Sequence, residues 1–248
     1  MKITFLGGGN MANAMIGGLR KQGYSAAGIQ VVEPVEALRE RLTNAYGIRC
    51  TDHIDQASMN CEVWVLAVKP QQLRDAIVPL RDGLFDQLVI SIAAGVRCAD
   101  ISRWLGDYAR GVRTMPHTPA LLGAGITGLF AGEGVDQEGR ETAEKILTSA
   151  GPTLWVDDEA QMDAITAISG SGPGYVFYFM EALHAAAREA GFDTVAARKL
   201  AVHTFLGAAR LAEFSDEPPS VLRERVTSKG GTTEAALTAH LVMPGGHP

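Results

Sequence analysis

The chain has 248 residues, 46% of them apolar and 20% charged, with 28 acidic against 22 basic side chains for a net charge of −6. That length and apolar share allow one large core or two modest ones, and they exclude disordered and fibrous classes. The acidic balance argues against a nucleic-acid binder and against a polybasic membrane surface.

The chain opens with strand and helix signals in alternation. Strands are predicted at residues 3–6, 29–32, 63–68, 88–92 and 112–115, and helices at 11–22, 35–46 and 71–80 between them. The runs at 63–68 and 88–92 are apolar on both faces, as in strands covered by helices on either side. Residues 116–134 are glycine-rich and poorly periodic; a helix at 137–149 and a last strand at 153–156 follow. Beyond Asp157 strand signals cease, and helical patterns cover 159–168, 175–190, 194–214 and 220–226. The prediction is an α/β protein, with a doubly wound parallel sheet over residues 1–157 and an all-α domain over 158–248.

The three cysteines, Cys50, Cys61 and Cys98, are scattered and odd in number. They make neither a disulfide framework nor a metal-ligand cluster, so a reducing, cytoplasmic setting without a bound metal is expected. The opening apolar run is too short for a signal-peptide core. The richest later one is broken by Glu181 and His184, so no stretch approaches the ~20 apolar residues of a membrane helix.

The first strand runs into Gly7-Gly8-Gly9-Asn10-Met11-Ala12 and then a helix. Gly7 permits the tight turn, Gly9 lets backbone approach a pyrophosphate, and Ala12 allows close helix–strand packing. A dinucleotide, NAD(H) or NADP(H), is therefore expected at the N-terminus of the first helix. The second strand ends at Glu33, where an acid can accept a hydrogen bond from a ribose 2′-hydroxyl and repel a 2′-phosphate. Taken alone that favours NADH; the bland alternative, a solvated glutamate before Pro34, stays open. Ala67-Val68-Lys69-Pro70 and Ala93-Ala94-Gly95 also fall at carboxyl ends of strands, where ligands bind in open α/β sheets. Lys69 either serves a cofactor phosphate or ribose or is simply a charged strand end.

Together with Ser91-Ile92 and three further stretches, these segments resemble the pyrroline-5-carboxylate reductases. The others are Met115-Pro116-His117-Thr118-Pro119-Ala120, Ser169-Gly170-Ser171-Gly172-Pro173-Gly174-Tyr175 and Val226-Thr227-Ser228-Lys229-Gly230-Gly231-Thr232-Thr233. The resemblance runs from residue 1 to about 240 and implies a Rossmann-type domain followed by a helical dimerisation domain. The dimers of such proteins often assemble further. It implies hydride transfer from NAD(P)H to the C=N carbon of L-1-pyrroline-5-carboxylate, giving L-proline, the final step of proline biosynthesis.

By the same resemblance His117 lies near the nicotinamide end, and Ser171 and Gly172 belong to a substrate-side loop. Ser228, Gly230, Gly231 and Thr232 are then substrate-binding, with Thr233 beside the imine nitrogen as the catalytic hydroxyl. The chemistry suits the residues: N–H groups around paired glycines can hold a carboxylate, and Ser228 adds a hydroxyl donor. Helix capping by the same Ser and Thr residues is the plainer reading and is compatible with binding. His184 and His203 lie on helical patterns and are assigned no role.

Two positions depart from the family pattern. His117 stands where asparagine is usual, and Lys229 where proline is usual. After Leu237 the family continues a helix, whereas this chain turns to Pro244-Gly245-Gly246-His247-Pro248, which predicts a shortened last helix and reduced dimer contacts. A non-catalytic dinucleotide sensor and a β-hydroxyacid-type dehydrogenase are the alternatives. The latter is disfavoured because residues 175–190 lack the lysine those enzymes use.

Overall fold

A computed structural model of the chain describes residues 1–240. Residues 241–248, on which the shortened last helix was predicted, lie outside the described residues. Two compact units are present, Met1–Gly174 and the segment from Tyr175 onward.

The first unit is built on β1 (Ile3–Leu6), α1 (Asn10–Lys21), β2 (Ile29–Val32), α2 (Glu36–Tyr46), β3 (Arg49–Thr51), α3 (Gln56–Met59), β4 (Val63–Leu66) and α4 (Pro70–Ile77). It continues through β5 (Leu88–Ser91), α5 (Cys98–Trp104), β6 (Gly111–Met115), β7 (Thr127–Ala131), α6 (Gln137–Leu147), β8 (Thr153–Trp155) and α7 (Gln161–Ile165). A turn of π-helix, Thr166–Gly170, follows α7.

These strands form one sheet in the order β3-β2-β1-β4-β5-β6-β7-β8. All neighbours are parallel except β6 and β7, which pair antiparallel with Arg113 opposite Phe130. Every residue of β1, β4 and β5 is buried, because helices cover both faces. One face packs Ile3, Phe5, Val65 and Ile90 against Met15, Ile16 and Leu19 of α1 and Ile146 of α6. The other packs Leu6, Trp64, Leu66 and Val89 against Leu73 and Ile77 of α4 and Ile101 of α5.

Strand order reverses between β1 and β4: the chain leaves β1 toward β2 and later returns to place β4 on the other side. That reversal opens a crevice at the carboxyl ends of both strands.

The change of character at Asp157 and the end of the first unit at Gly174 are separate features. Past β8, Arg113 of β6 is 3% exposed and forms ion pairs with Glu159 (3.2 Å) and Asp163 of α7 (2.9 Å). A buried guanidinium needs such partners, and they tie α7 to the sheet.

The second unit contains the body of α8 (Gly172–Glu189), then α9 (Thr194–Glu213), α10 (Pro219–Arg225) and α11 (Thr232–His240). Asp193 caps α9 by accepting the Ala196 N–H at 2.8 Å. No residue of α8 is buried, and Tyr175, Phe177, Tyr178 and Phe179 all stand exposed. No described helix is long and apolar enough to cross a membrane.

Candidate functional site

Five chain segments meet the carboxyl edge of the sheet at its reversal and beside it. Gly7 leaves β1 at φ +102°, and a side chain there would stand 2.6 Å from the Ala67 carbonyl oxygen at the end of β4. Only glycine fits that turn. Gly9 then precedes α1 with no side-chain cap on the helix and no acidic residue in its first turn. A methyl group at Gly9 would meet nothing within 4 Å. The open space above Gly9 and the uncapped N–H groups of Asn10 and Met11 fit a pyrophosphate.

Glu33 follows β2 and is 7% exposed. Its carboxylate accepts the Gly8 N–H at 2.8 Å and the Val35 N–H at 2.9 Å. The side chain therefore pins the glycine turn to the end of β2, while each oxygen keeps a lone pair for a further donor. Two arginines that sequence spacing did not single out flank this corner. Arg39 donates to the Glu33 and Pro34 carbonyls (2.9 and 2.7 Å), and Arg41 to the Gly8 carbonyl at 3.2 Å. Their position on the first turns of α2, facing back over β2, emerges only from the fold.

Ala67 and Val68 are half-buried beside Gly7, and Lys69 is exposed as the residue before α4, with Pro70 at the first helical position. Ala93 is buried, Ala94 and Gly95 exposed, at the end of β5. The Ala93 N–H is held by the Ser91 hydroxyl at 3.3 Å.

His117 follows β6, half-buried, with both ring nitrogens engaged. Nε2 accepts the Ile126 N–H at 2.8 Å, and Nδ1 lies 2.6 Å from the Ser169 carbonyl oxygen. Ser169 belongs to the π-turn, whose defining bond runs from the Ser171 N–H to the Thr166 carbonyl at 2.9 Å. π-turns within helices recur at functional sites. Ser171 is exposed and Gly172 half-buried just beyond it.

In the second unit the glycine pair leads into α11. Gly230 adopts φ +76°, and Gly231 donates to the Ser228 carbonyl at 2.9 Å. The Gly230 N–H, expected from sequence to serve a bound carboxylate, instead meets the carboxylate of Glu234, in the first turn of α11, at 2.6 Å. An anion of the chain itself thus sits on one donor of the concavity. The N–H groups of Thr232 and Thr233, at the start of α11, have no partner within the helix. Thr233 is half-buried; Ser228, Lys229 and Thr232 are exposed.

A further cavity has no part in this arrangement. It measures about 380 Å³ and is lined by Val89, Ile101, Leu105, Val112 and Phe130. Val89 and Val112 lie near the amino ends of β5 and β6, the opposite edge of the sheet from the glycine turn. Cys98 on its wall has its thiol pushed up to about 12, first by burial and then by the nearby Glu159 charge, so it is no nucleophile. Among the described residues no cluster of His, Cys, Asp or Glu could hold a metal ion.

Comparison with known proteins points the same way. The family model "Pyrroline-5-carboxylate reductase dimerisation" matches residues 159–241, and "NADP oxidoreductase coenzyme F420-dependent" matches residues 2–95. A pyrroline-5-carboxylate reductase from Pseudomonas aeruginosa is 44% identical over 237 residues, covering 95% of this chain and 87% of its own. The solved structure of such a reductase from Coxiella burnetii superposes with a TM-score of 0.90 at 43% identity, over 96% of this chain and 88% of that one. The Plasmodium falciparum enzyme, solved with NADP bound, gives a TM-score of 0.85 at 26% identity over 96% and 88% of the two chains.

Proposed function

The chain belongs to the pyrroline-5-carboxylate reductase family, and from that membership we propose how its own residues carry out the reduction of L-1-pyrroline-5-carboxylate to L-proline. NADPH or NADH, when bound, supplies the hydride that reduces the C=N carbon. The observation that carries the reading is the crevice at the sheet reversal, where the Gly7 turn, the open face of Gly9 and the uncapped start of α1 together suit a pyrophosphate.

In this reading Gly7, Gly8, Gly9, Asn10 and Met11 hold the pyrophosphate. Ala67, Val68, Lys69 and Pro70 line the turn opposite, and Ala93, Ala94, Gly95 and His117 serve the nicotinamide end. Glu33 orders the turn and can still accept from a ribose hydroxyl. Its buried negative charge disfavours a 2′-phosphate, whereas Arg39 and Arg41 at the same corner offer two cations to pair with one. Both nucleotides are therefore accepted.

Ser171 and Gly172 contact the imino acid. Ser228, Gly230, Gly231 and Thr232 bind its carboxylate, which displaces Glu234 from the Gly230 N–H. The Thr233 hydroxyl hydrogen-bonds the ring nitrogen, keeping the C=N carbon electrophilic. A threonine hydroxyl is too weak an acid to be the ultimate proton source, so the proton comes from water or arrives on the imine. The exposed apolar helices of the second unit meet a second copy, forming a homodimer that can assemble further. The free thiols of Cys50, Cys61 and Cys98 suit the cytoplasm.

The test is oxidation of NADPH and of NADH in the presence of pyrroline-5-carboxylate, with proline identified as the product. Turnover is expected with both. Replacing Thr233 by Ala should lower kcat by roughly 10- to 1000-fold, the range for a positioned hydrogen-bond donor. Wild-type protein that binds cofactor but makes no proline would leave the chain a dinucleotide sensor.

A further inference from the structure

His117 is exceptional in this site because both of its ring nitrogens are spoken for by backbone. A backbone N–H can only donate, so the Ile126 N–H at 2.8 Å requires Nε2 to be an acceptor. The proton of the neutral ring is then on Nδ1, which donates to the Ser169 carbonyl at 2.6 Å. One tautomer alone satisfies both contacts.

The Ser169 carbonyl needs that donor. In a continuous helix it would accept the N–H of the residue four positions on, but that residue is Pro173, which has none. The Ser169 hydroxyl is turned back to the Ile165 carbonyl at 3.0 Å, and the next N–H along, that of Gly174, goes to the Ser171 carbonyl at 2.9 Å. The π-turn and the proline together strip Ser169 of its ordinary helical partner, and the imidazole replaces it. The same ring closes its own loop, since Ile126 immediately precedes β7 while His117 follows β6.

We infer that His117 is a positioning residue for the Ser169–Gly174 loop: its Nδ1–H stands in for the missing Pro173 N–H and fixes the backbone from which Ser171 and Gly172 face the substrate. The inference rests on the reading of that loop as substrate-binding. It gives His117 no proton to transfer, because neither nitrogen is free.

Two substitutions separate the contacts. Asparagine places a donor near the Nδ1 position and keeps the Ser169 bond, whereas glutamine reaches the Nε2 position and offers only the Ile126 acceptor. His117→Asn is expected to hold KM for pyrroline-5-carboxylate within about threefold of wild type. His117→Gln is expected to raise it at least ~10-fold, the scale of one lost positioning hydrogen bond. NADPH affinity, read by nucleotide fluorescence, should differ less than about twofold between the two variants, since both remove the same ring from the nicotinamide end. A residue that merely stabilised the fold would lower Tm without that split between KM and cofactor binding.

Independently of any variant, nitrogen-15 spectra of the wild-type imidazole should show a protonated Nδ1 and a bare Nε2. The opposite tautomer, or equal KM for the two variants, overturns the inference. Gly172→Ala serves as the control for the loop itself, since the added methyl meets nothing within 4 Å. If it raises KM while His117→Gln does not, the role of His117 fails and the loop reading stands. If neither Gly172→Ala nor Ser171→Ala moves KM, the loop reading fails and takes the inference with it.

Discussion

Gly9 is the residue at which fold and binding can be separated. Its backbone, at φ −66° and ψ −172°, is open to any residue, and the space beside it is empty to 4 Å. Gly9→Ala is therefore expected to keep Tm within about 2 °C, as for an unstrained exchange. It should weaken NADPH and NADH binding at least ~10-fold, because the methyl stands where backbone must approach the pyrophosphate. Calorimetry and nucleotide fluorescence read the two effects. A change in Tm with unchanged affinity would contradict it. Residue spacing alone located this glycine and placed Glu33 at the end of β2. It could not show that Glu33 already holds the Gly8 and Val35 N–H groups, because that depends on which way a three-residue glycine turn faces its amides. The same holds for Glu234 on Gly230 and for the two contacts of His117, all made by loop backbone that no periodicity encodes.

At the level of elements, α3 illustrates how a short helix is made to form. Asp55 accepts the Ser58 N–H at 2.8 Å while the Ser58 hydroxyl accepts the Asp55 N–H at 2.8 Å, a reciprocal cap. A hydrogen bond from Arg49, then the Ser58 amide, lowers the Asp55 carboxyl to about 2 from its usual 3.8. A lowered carboxylate adds stability that is complete above its unfolded value and disappears as pH falls through the folded one. Wild-type stability should thus decline between about pH 4 and pH 2 more steeply than that of Asp55→Asn, which keeps a cap without a charge. Asp55→Ala should cost about 1 kcal/mol at pH 7. Urea denaturation across that pH range checks both, and parallel curves for wild type and Asp55→Asn would refute the assignment.

Strands with continuous apolar runs, such as β1, β4 and β5, were legible within a residue or two. β3 was not: it is Arg49, Cys50 and Thr51 at the sheet edge, held by pairing with β2 rather than by a pattern of its own. β7 hid inside a glycine-rich stretch, and its antiparallel pairing with β6 follows from the short 116–126 connection, too brief for a crossover helix. The π-turn, Thr166–Gly170, was divided at Ile168 between a helical pattern and the loop that begins at Ser169, because one extra residue in a turn leaves the local apolar pattern almost unchanged.

For the whole molecule, the division into sheet and helices was plain in the composition on either side of Asp157. What composition could not convey is how much apolar surface the helices leave in water. Tyr178 is 72% exposed, Phe179 61%, Val195 78% and Phe214 86%. Surface of this kind marks an interface, in keeping with the dimerisation model that matches residues 159–241. Sedimentation is expected to find a dimer at micromolar concentration. Phe179→Glu, which puts a charge among those rings, should weaken the dimer at least ~30-fold, the effect of losing one central aromatic anchor. A monomeric wild type would contradict this.

The sheet's two apolar faces draw their buried residues only from positions up to Ala150. A ribosome therefore releases the buried core of the nucleotide fold before it releases the ring-bearing helices. Those rings emerge last, and on the dimer reading they stay wet until a sister polypeptide arrives. Neighbouring ribosomes on one message bring such sisters close together, so scarcity of transcripts, and not only heat or denaturant, becomes a hazard to the newly made chain.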